Sequence, residues 1–174
     1  ENVIGIAPGG GQSFGPEKQH LKHWPLASYR TLIRELRAKL NVKVLIFWGP
    51  EERFLAEELV SGSPEGVLST PPTTIRQAAS LIRKLQLLVC TDGGLLRVAI
   101  AVGTKTLSLF GPTDENVYGP VQNGNSHRVL TQPVVCRPCY RRFKLPFCVQ
   151  NVCLSWISPE RVLATVQTLI KTNG

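Results

Sequence analysis

Short apolar runs alternate with amphipathic stretches along this chain, and that alternation constrains the fold more than any other feature. The run Leu87–Thr91 is apolar at four consecutive positions, with no polar residue at every second place. Such a strand is covered on both faces, as in a parallel sheet flanked by helices. Val3–Ala7, Val42–Phe47 and Lys105–Phe110 read as further strands, a short one falls near Val67, and Val129-Leu130 marks a candidate sixth. Between them, apolar residues return at helical spacing. Leu26, Tyr29, Leu32, Ile33, Leu36 and Leu40 follow Pro25, and helices are expected over Glu51–Val60, with acids in its first turn, and over Ile75–Leu85. Two more are expected, a small-residue helix over Leu95–Val102 and a last one over Ser158–Thr172. The βαβα order predicts an α/β fold, a parallel sheet with helices on both faces. Ligands of such sheets bind in the crevice outside the carboxyl ends of the strands. The loops 9–24, 48–52, 70–74, 91–97 and 111–120 each follow a strand and are therefore expected on one edge.

At 174 residues and 43% hydrophobic, the chain suits a single domain over 1–174. No apolar stretch approaches the roughly 18 residues of a membrane span. The start Glu1-Asn2-Val3-Ile4 lacks the basic lead of a secretory peptide, and the chain holds no Met, so a piece of a longer protein is expected. The formal charge of +8 points to an anionic partner: a phosphorylated ligand, a nucleic acid or an anionic membrane surface. Five cysteines are an odd number, which argues against a fully paired extracellular framework and for a cytoplasmic setting.

Several loops carry residue types suited to ligand chemistry. Gly9, Gly10 and Gly11 follow the first strand and can bring backbone amides close to a phosphate, with Lys18 or Lys22 supplying a charge. The loop matches neither the dinucleotide fingerprint nor the P-loop, and a plain surface loop is the alternative. Asp92-Gly93-Gly94 stands where the most apolar strand meets a helix N-terminus. Asp92 suits a sugar hydroxyl or a loop amide, or serves as a helix N-cap. Glu51 and Glu52 lie past a strand end and can hold ribose hydroxyls or offset a helix dipole. Cys136-x2-Cys139-x8-Cys148-x4-Cys153 lies in a segment with Arg137, Arg141, Arg142 and Lys144 and no acids. Its spacing is irregular for zinc, and disulfides or packed thiols remain open. Cys90 belongs to the core, and Trp24, Trp48 and Trp156 are expected to pack rather than stack on a ligand. His20, His23 and His127 assemble no triad and no metal pair.

Seven segments then recur together in order. They are Ile4-Gly5-Ile6-Ala7-Pro8-Gly9-Gly10, Lys22-His23-Trp24-Pro25, Phe47-Trp48-Gly49-Pro50-Glu51-Glu52, Leu88-Val89-Cys90-Thr91-Asp92-Gly93-Gly94-Leu95, Leu109-Phe110-Gly111-Pro112-Thr113-Asp114, Cys136-Arg137-Pro138-Cys139 and Ile157-Ser158-Pro159-Glu160-Arg161-Val162. In this pattern the chain resembles the C-terminal domain of the lipopolysaccharide heptosyltransferases, glycosyltransferase family 9. The resemblance implies half of a GT-B glycosyltransferase, a Rossmann-like parallel sheet with helices on both faces, the half that binds a nucleotide-sugar donor, by default ADP-heptose. It implies that Gly9 and Gly10 cradle the donor phosphates, that Lys22 counters their charge, and that Glu52, or Glu51, holds the ribose. It places Thr73 at the adenine pocket and Asp92, Gly93, Gly94 and Leu95 against the diphosphate and sugar. Two positions depart from the pattern: Gly93 stands where Ser or Thr is usual, and Arg97 where His is usual, though Arg97 can still pair with phosphate.

The reaction implied is inverting transfer to a lipid-linked saccharide acceptor, without metal or cofactor. The general base lies in an N-terminal domain outside this chain, so no catalytic residue is expected here and the piece alone is expected to be inactive. The place implied is the cytoplasm, with an anionic inner-membrane surface as a further partner. Rival readings are another GT-B or epimerase-type nucleotide-sugar enzyme, a non-catalytic homologue, and a basic nucleic-acid-binding module. The last is disfavoured, because the positive charge is spread along the chain and no RNA-binding motif is present.

Overall fold

Strand-forming runs of alternating inward residues and the helices between them build one doubly wound sheet. The computed structural model describes residues 2–11, 20–121, 126–142 and 144–171. The strands are β1 (Val3–Ala7), β2 (Lys43–Ile46), β3 (Val67–Ser69), β4 (Leu87–Thr91), β5 (Thr106–Phe110) and β6 (His127–Thr131). All pair in parallel, in the order β3-β2-β1-β4-β5-β6.

The two-residue period of a strand sends neighbours to opposite faces. Ile4, Ile6, Val44, Ile46, Leu87, Val89, Leu107 and Leu109 join one core, closed by α1 (Leu26–Leu40), α2 (Arg53–Val60) and α7 (Pro159–Lys171). Ala7, Phe47, Leu88, Cys90 and Phe110 join the other, beneath α3 (Ile75–Ile82) and α4 (Gly94–Ala101). Gly5 leaves the space that Leu85 and Leu88 fill, since a Cβ there would stand 2.4 Å from Leu85 Cδ1. Two single-turn helices complete the set, α5 (Glu115–Tyr118) and α6 (Val152–Ser155).

Several boundaries differ from expectation for local reasons. The second helix starts at Arg53, not Glu51, and has no acid in its first turn. Glu52 holds the N-cap position but turns its carboxylate to Gly11 and Gly49, away from its own helix. The third helix ends at Ile82. It opens with a capping box, in which the Thr74 side chain accepts from the Gln77 amide and the Gln77 side chain accepts from the Thr74 amide. The sixth strand is a full five residues, and Trp156 is 62% exposed rather than packed.

Candidate functional site

β1 pairs with β2 on one side and β4 on the other, so the connections leaving β1 and β4 diverge to opposite ends of the sheet. A crevice opens at such a switch point. Ala7 stands level with Cys90 there, and the Thr91 hydroxyl donates to the Gly9 carbonyl at 2.9 Å, tying the glycine loop to the end of β4.

The cleft above has a volume of about 240 Å³. Ala7, Ala78, Cys90, Leu95 and Leu96 give it an apolar floor, Trp48 and Ile75 flank it, and Gly9, Gly11, Gly49, Glu52, Thr73, Gly93 and Gly94 supply polar backbone and one carboxylate. Trp48 is not simply core, since it lines this cleft while its indole N–H donates to the Thr70 carbonyl at 2.8 Å.

Glu52 is the cleft's fixed charge. Its two oxygens accept from the Gly11 amide at 2.9 Å and the Gly49 amide at 3.0 Å. A carboxylate has about four acceptor directions, so two remain for a ligand. Glu51 is exposed and is not part of the lining. Gly9 is required for room: a Cβ on it would lie 1.9 Å from Glu52 Cδ. Gly10 does the same for Lys22, whose Cβ would be 2.5 Å away. Both glycines therefore shape the site by admitting neighbouring side chains. Gly11 alone of the three has a left-handed backbone, φ 71°.

Lys22 is delivered to the site by its neighbours. Trp24 is buried edge-on to Tyr29, 4.8 Å between centroids, and its indole donates to the Ile157 carbonyl. The Asn151 side-chain amide donates to the carbonyls of Leu21 and His23. Held this way, Lys22 Nζ lies 3.1 Å from Asp92 Oδ2, with side chains only 7% and 10% exposed. The N-cap of α4 is Gly93, so Asp92 acts as the lysine's counter-charge and not as a cap. Lys18 lies outside the described residues.

Beside the cleft, and sharing Gly93 and Gly94 with it, is a second space of about 210 Å³ lined by Lys22, Asp92, Arg97, Thr113, Tyr118 and Tyr140. The eight-residue helix α4 points its N-terminal amides at the junction of the two, where the helix dipole favours an anion. Arg97 donates to the carbonyls of Tyr118 and Gly119. Thr113 is 1% exposed, and its hydroxyl has no partner among the described residues. A buried hydroxyl left so costs about 1–3 kcal/mol. Burial first, then Tyr118 and Asp92, push the Tyr140 phenol up, so it remains a hydrogen-bond donor at neutral pH.

Tyr140 was not legible as a site residue, and neither were Arg137, Thr113 and Asn151. The cysteine segment folds back on the β5–α5 loop, with the amides of Cys139 and Tyr140 both donating to Pro112. Arg137 clamps it there, bonding the carbonyls of Gly111 and Thr113 and pairing with Glu115 at 2.7 Å. That hydrogen bond holds the Glu115 carboxyl below its ordinary range. The cysteines are free thiols. Burial, and then the thiols of Cys139, Cys136 and Cys148, push Cys153 up to about 11. Among the described residues no group of three or more His, Cys, Asp or Glu can hold a metal ion. No helix among them is long and apolar enough to cross a membrane.

Burial lowers His23 and His127 below 6.5, with Glu52 opposing the shift at His23. A lowered folded-state value means that the unfolded chain binds these protons first as pH falls. The neutral imidazoles' contribution is complete above pH 6.5 and is lost on descending through their folded values. Thermal melts are expected to fall between pH 7 and 5.5, with a shallower fall for His23→Gln; identical slopes would count against the His23 contribution.

A six-stranded parallel sheet with a glycine-bordered cleft at its switch point defines a doubly wound, Rossmann-like α/β domain. The chain belongs to glycosyltransferase family 9 (heptosyltransferase), whose model matches residues 3–145. It is 28% identical over 163 residues to lipopolysaccharide heptosyltransferase 1 of Pseudomonas aeruginosa, covering 86% of this chain and 44% of the relative. Its fold matches E. coli ADP-heptose lps heptosyltransferase II with a TM-score of 0.77 at 22% identity, over 98% of this chain and 47% of that one. E. coli heptosyltransferase WaaC, solved with ADP, matches with a TM-score of 0.71 at 21% identity, over 97% and 44% of the two chains. The chain spans about half the length of the curated relatives it matches.

Proposed function

We propose that this chain is a single donor-binding domain of a glycosyltransferase, holding an ADP-linked sugar, by default ADP-heptose, for transfer to a lipid-linked saccharide of the lipopolysaccharide core. The observation that carries the reading is the cleft at the switch point, apolar below, with the Glu52 carboxylate on one side and the α4 N-terminus on the other. The base lies over Ala7, Ala78 and Leu96 near Thr73, and the ribose hydroxyls reach the free acceptor directions of Glu52. The diphosphate crosses Gly93, Gly94 and Leu95 at the start of α4. Relatives named as heptosyltransferases, and a similar fold solved with ADP, support this assignment.

Chemically, the chain's task is to stabilise the departing nucleotide diphosphate. Preorganised amides at the α4 N-terminus and the Lys22 ammonium do this without any titrating group. The acceptor's general base comes from an additional N-terminal domain, so this chain alone transfers no sugar. The work is done in the cytoplasm, at the anionic inner-membrane surface where a lipid-linked acceptor is met, in keeping with the +8 charge. Calorimetry of the chain with ADP, UDP and GDP is expected to give tightest binding for ADP. Equal heats for all three, or none for any, would overturn the donor-site reading.

A further inference from the structure

We infer that the turn at Arg141–Lys144, with the exposed apolar residues just after it, is the surface by which this chain docks on an anionic lipid bilayer. This rests on the membrane part of the function proposed above and names the surface that serves it. Arg141 and Lys144 exchange backbone hydrogen bonds of 3.0 and 2.9 Å in an antiparallel bridge, and Arg142 follows Arg141 with a left-handed backbone, φ 49°. All three residues are exposed. Among the described residues none of the three makes an ion pair. The sequence places no Asp or Glu between Glu115 and Glu160.

Opposite positions of an antiparallel pair bring their side chains to one face, and like charges set there repel. The turn therefore carries an unbalanced cationic face, and an anionic surface relieves the repulsion. Phe147 and Val149 follow within five residues of Lys144 and are 91% and 79% exposed. Leu145, between them and the turn, is buried, so one apolar residue pins the segment while two others face outward. Cations beside protruding apolar side chains suit a bilayer surface, where lipid phosphates meet the charges and the acyl boundary takes the apolar groups. The buried centre of a protein–protein contact is instead depleted of charge.

The place of the turn supports the same partner. Tyr140, which lines the second space beside the cleft, directly precedes it. Arg137 and the two amide bonds to Pro112 fasten this stretch to the β5–α5 loop. Docking through the turn therefore sets the rim of the site at the headgroup layer, where a lipid-linked acceptor is found. With three cations and two apolar side chains, the attachment is reversible and sensitive to salt.

Co-sedimentation of the 174-residue chain with mixed phosphatidylglycerol and phosphatidylcholine vesicles tests this, with pure phosphatidylcholine vesicles as the neutral arm. Binding is expected to the anionic vesicles alone, and it is expected to weaken as salt rises. Arg141→Gln, Arg142→Gln and Lys144→Gln together are expected to lower the partition coefficient about a hundredfold, or about fivefold per cation. Phe147→Ser with Val149→Ser is expected to lower it about tenfold while keeping the salt dependence. Arg34→Gln, Arg83→Gln and Lys84→Gln remove three exposed cations elsewhere, and together they are expected to cost less than about fivefold. Every variant should melt, and bind ADP, as wild type does. If the two triple variants lose equally, or the apolar variant loses nothing, the docking surface is wrong and the membrane reading stands. Self-association of the chain that Phe147→Ser abolishes, without vesicle binding, assigns the patch to a second copy and overturns the inference. If the wild-type chain binds no anionic vesicle, the membrane reading and the inference fall together, while ADP calorimetry still decides the donor reading.

Discussion

Lys22→Ala is expected to destabilise the fold by about 3–5 kcal/mol, because it leaves a buried carboxylate without its partner. Lys22 and Asp92 are each about nine-tenths buried and 3.1 Å apart. Against a typical total of about 5–15 kcal/mol for a domain, such a loss brings the chain close to its unfolding threshold. A urea melt of Lys22→Ala should show a much lower midpoint at unchanged slope. Removing both charges with the pair Lys22→Met and Asp92→Leu is expected to recover most of the stability, since an apolar pair of similar volume often substitutes for a buried ion pair. The double variant is expected to bind ADP more weakly than wild type, because the ammonium beside the cleft is gone. Stability of Lys22→Ala equal to wild type would mean that the pair is not closed in solution.

Glu52→Ala is the second large effect, and it falls mainly on binding. The carboxylate joins the glycine loop to the loop after β2 through charge-assisted bonds to the Gly11 and Gly49 amides. Bonds of this type contribute about 1.5–3 kcal/mol each when intact. Glu52 is half-buried and its amides regain water, so the net stability loss is expected near 2 kcal/mol. ADP affinity is expected to fall at least about tenfold, because the ribose loses its acceptor and the loop its anchor. Gly9→Ala should reproduce the binding defect with the carboxylate still present, since a Cβ 1.9 Å from Glu52 Cδ forces the side chain away. Glu51→Ala, altering an exposed residue outside the cleft, is expected to bind ADP as wild type. A calorimetric series in which Glu51→Ala and Glu52→Ala behave alike would sink the assignment.

The sheet was legible because its signal is local. The unbroken apolar run of β4 requires cover on both faces, and the helical spacing of Leu32, Leu36 and Leu40 is visible within one stretch. Helix ends were less legible, because Glu52 and Thr74 play opposite parts. Thr74 caps its own helix through a neighbour three residues on, whereas Glu52 bonds an amide 41 residues away. No local rule distinguishes the two. The sixth strand, with only Val129 and Leu130 apolar, is stabilised by its pairing with β5 along five registered positions.

The site followed the same division. Gly9, Gly10, Asp92, Gly93 and Gly94 stood out because glycines between a strand and a helix mark close approach, and a parallel sheet gathers all such turns on one edge. What those residues do was decided in three dimensions. Gly9 and Gly10 make room for Glu52 and Lys22, and Asp92 answers a lysine instead of capping a helix. Tyr140 and Arg137 reach the site only because their segment folds back on the β5–α5 loop.

Periodicity and glycine placement therefore determined the α/β class, the layering of helices and the edge on which the glycine-bearing loops gather, since each depends on neighbours within a turn or a strand. Only the tertiary structure decided which of Glu51 and Glu52 faces the cleft, which charge Lys22 meets, and that the cysteine segment supplies a wall. Those outcomes depend on the path of long loops and on contacts between distant residues, whose energies exist only once the sheet has brought the loops together.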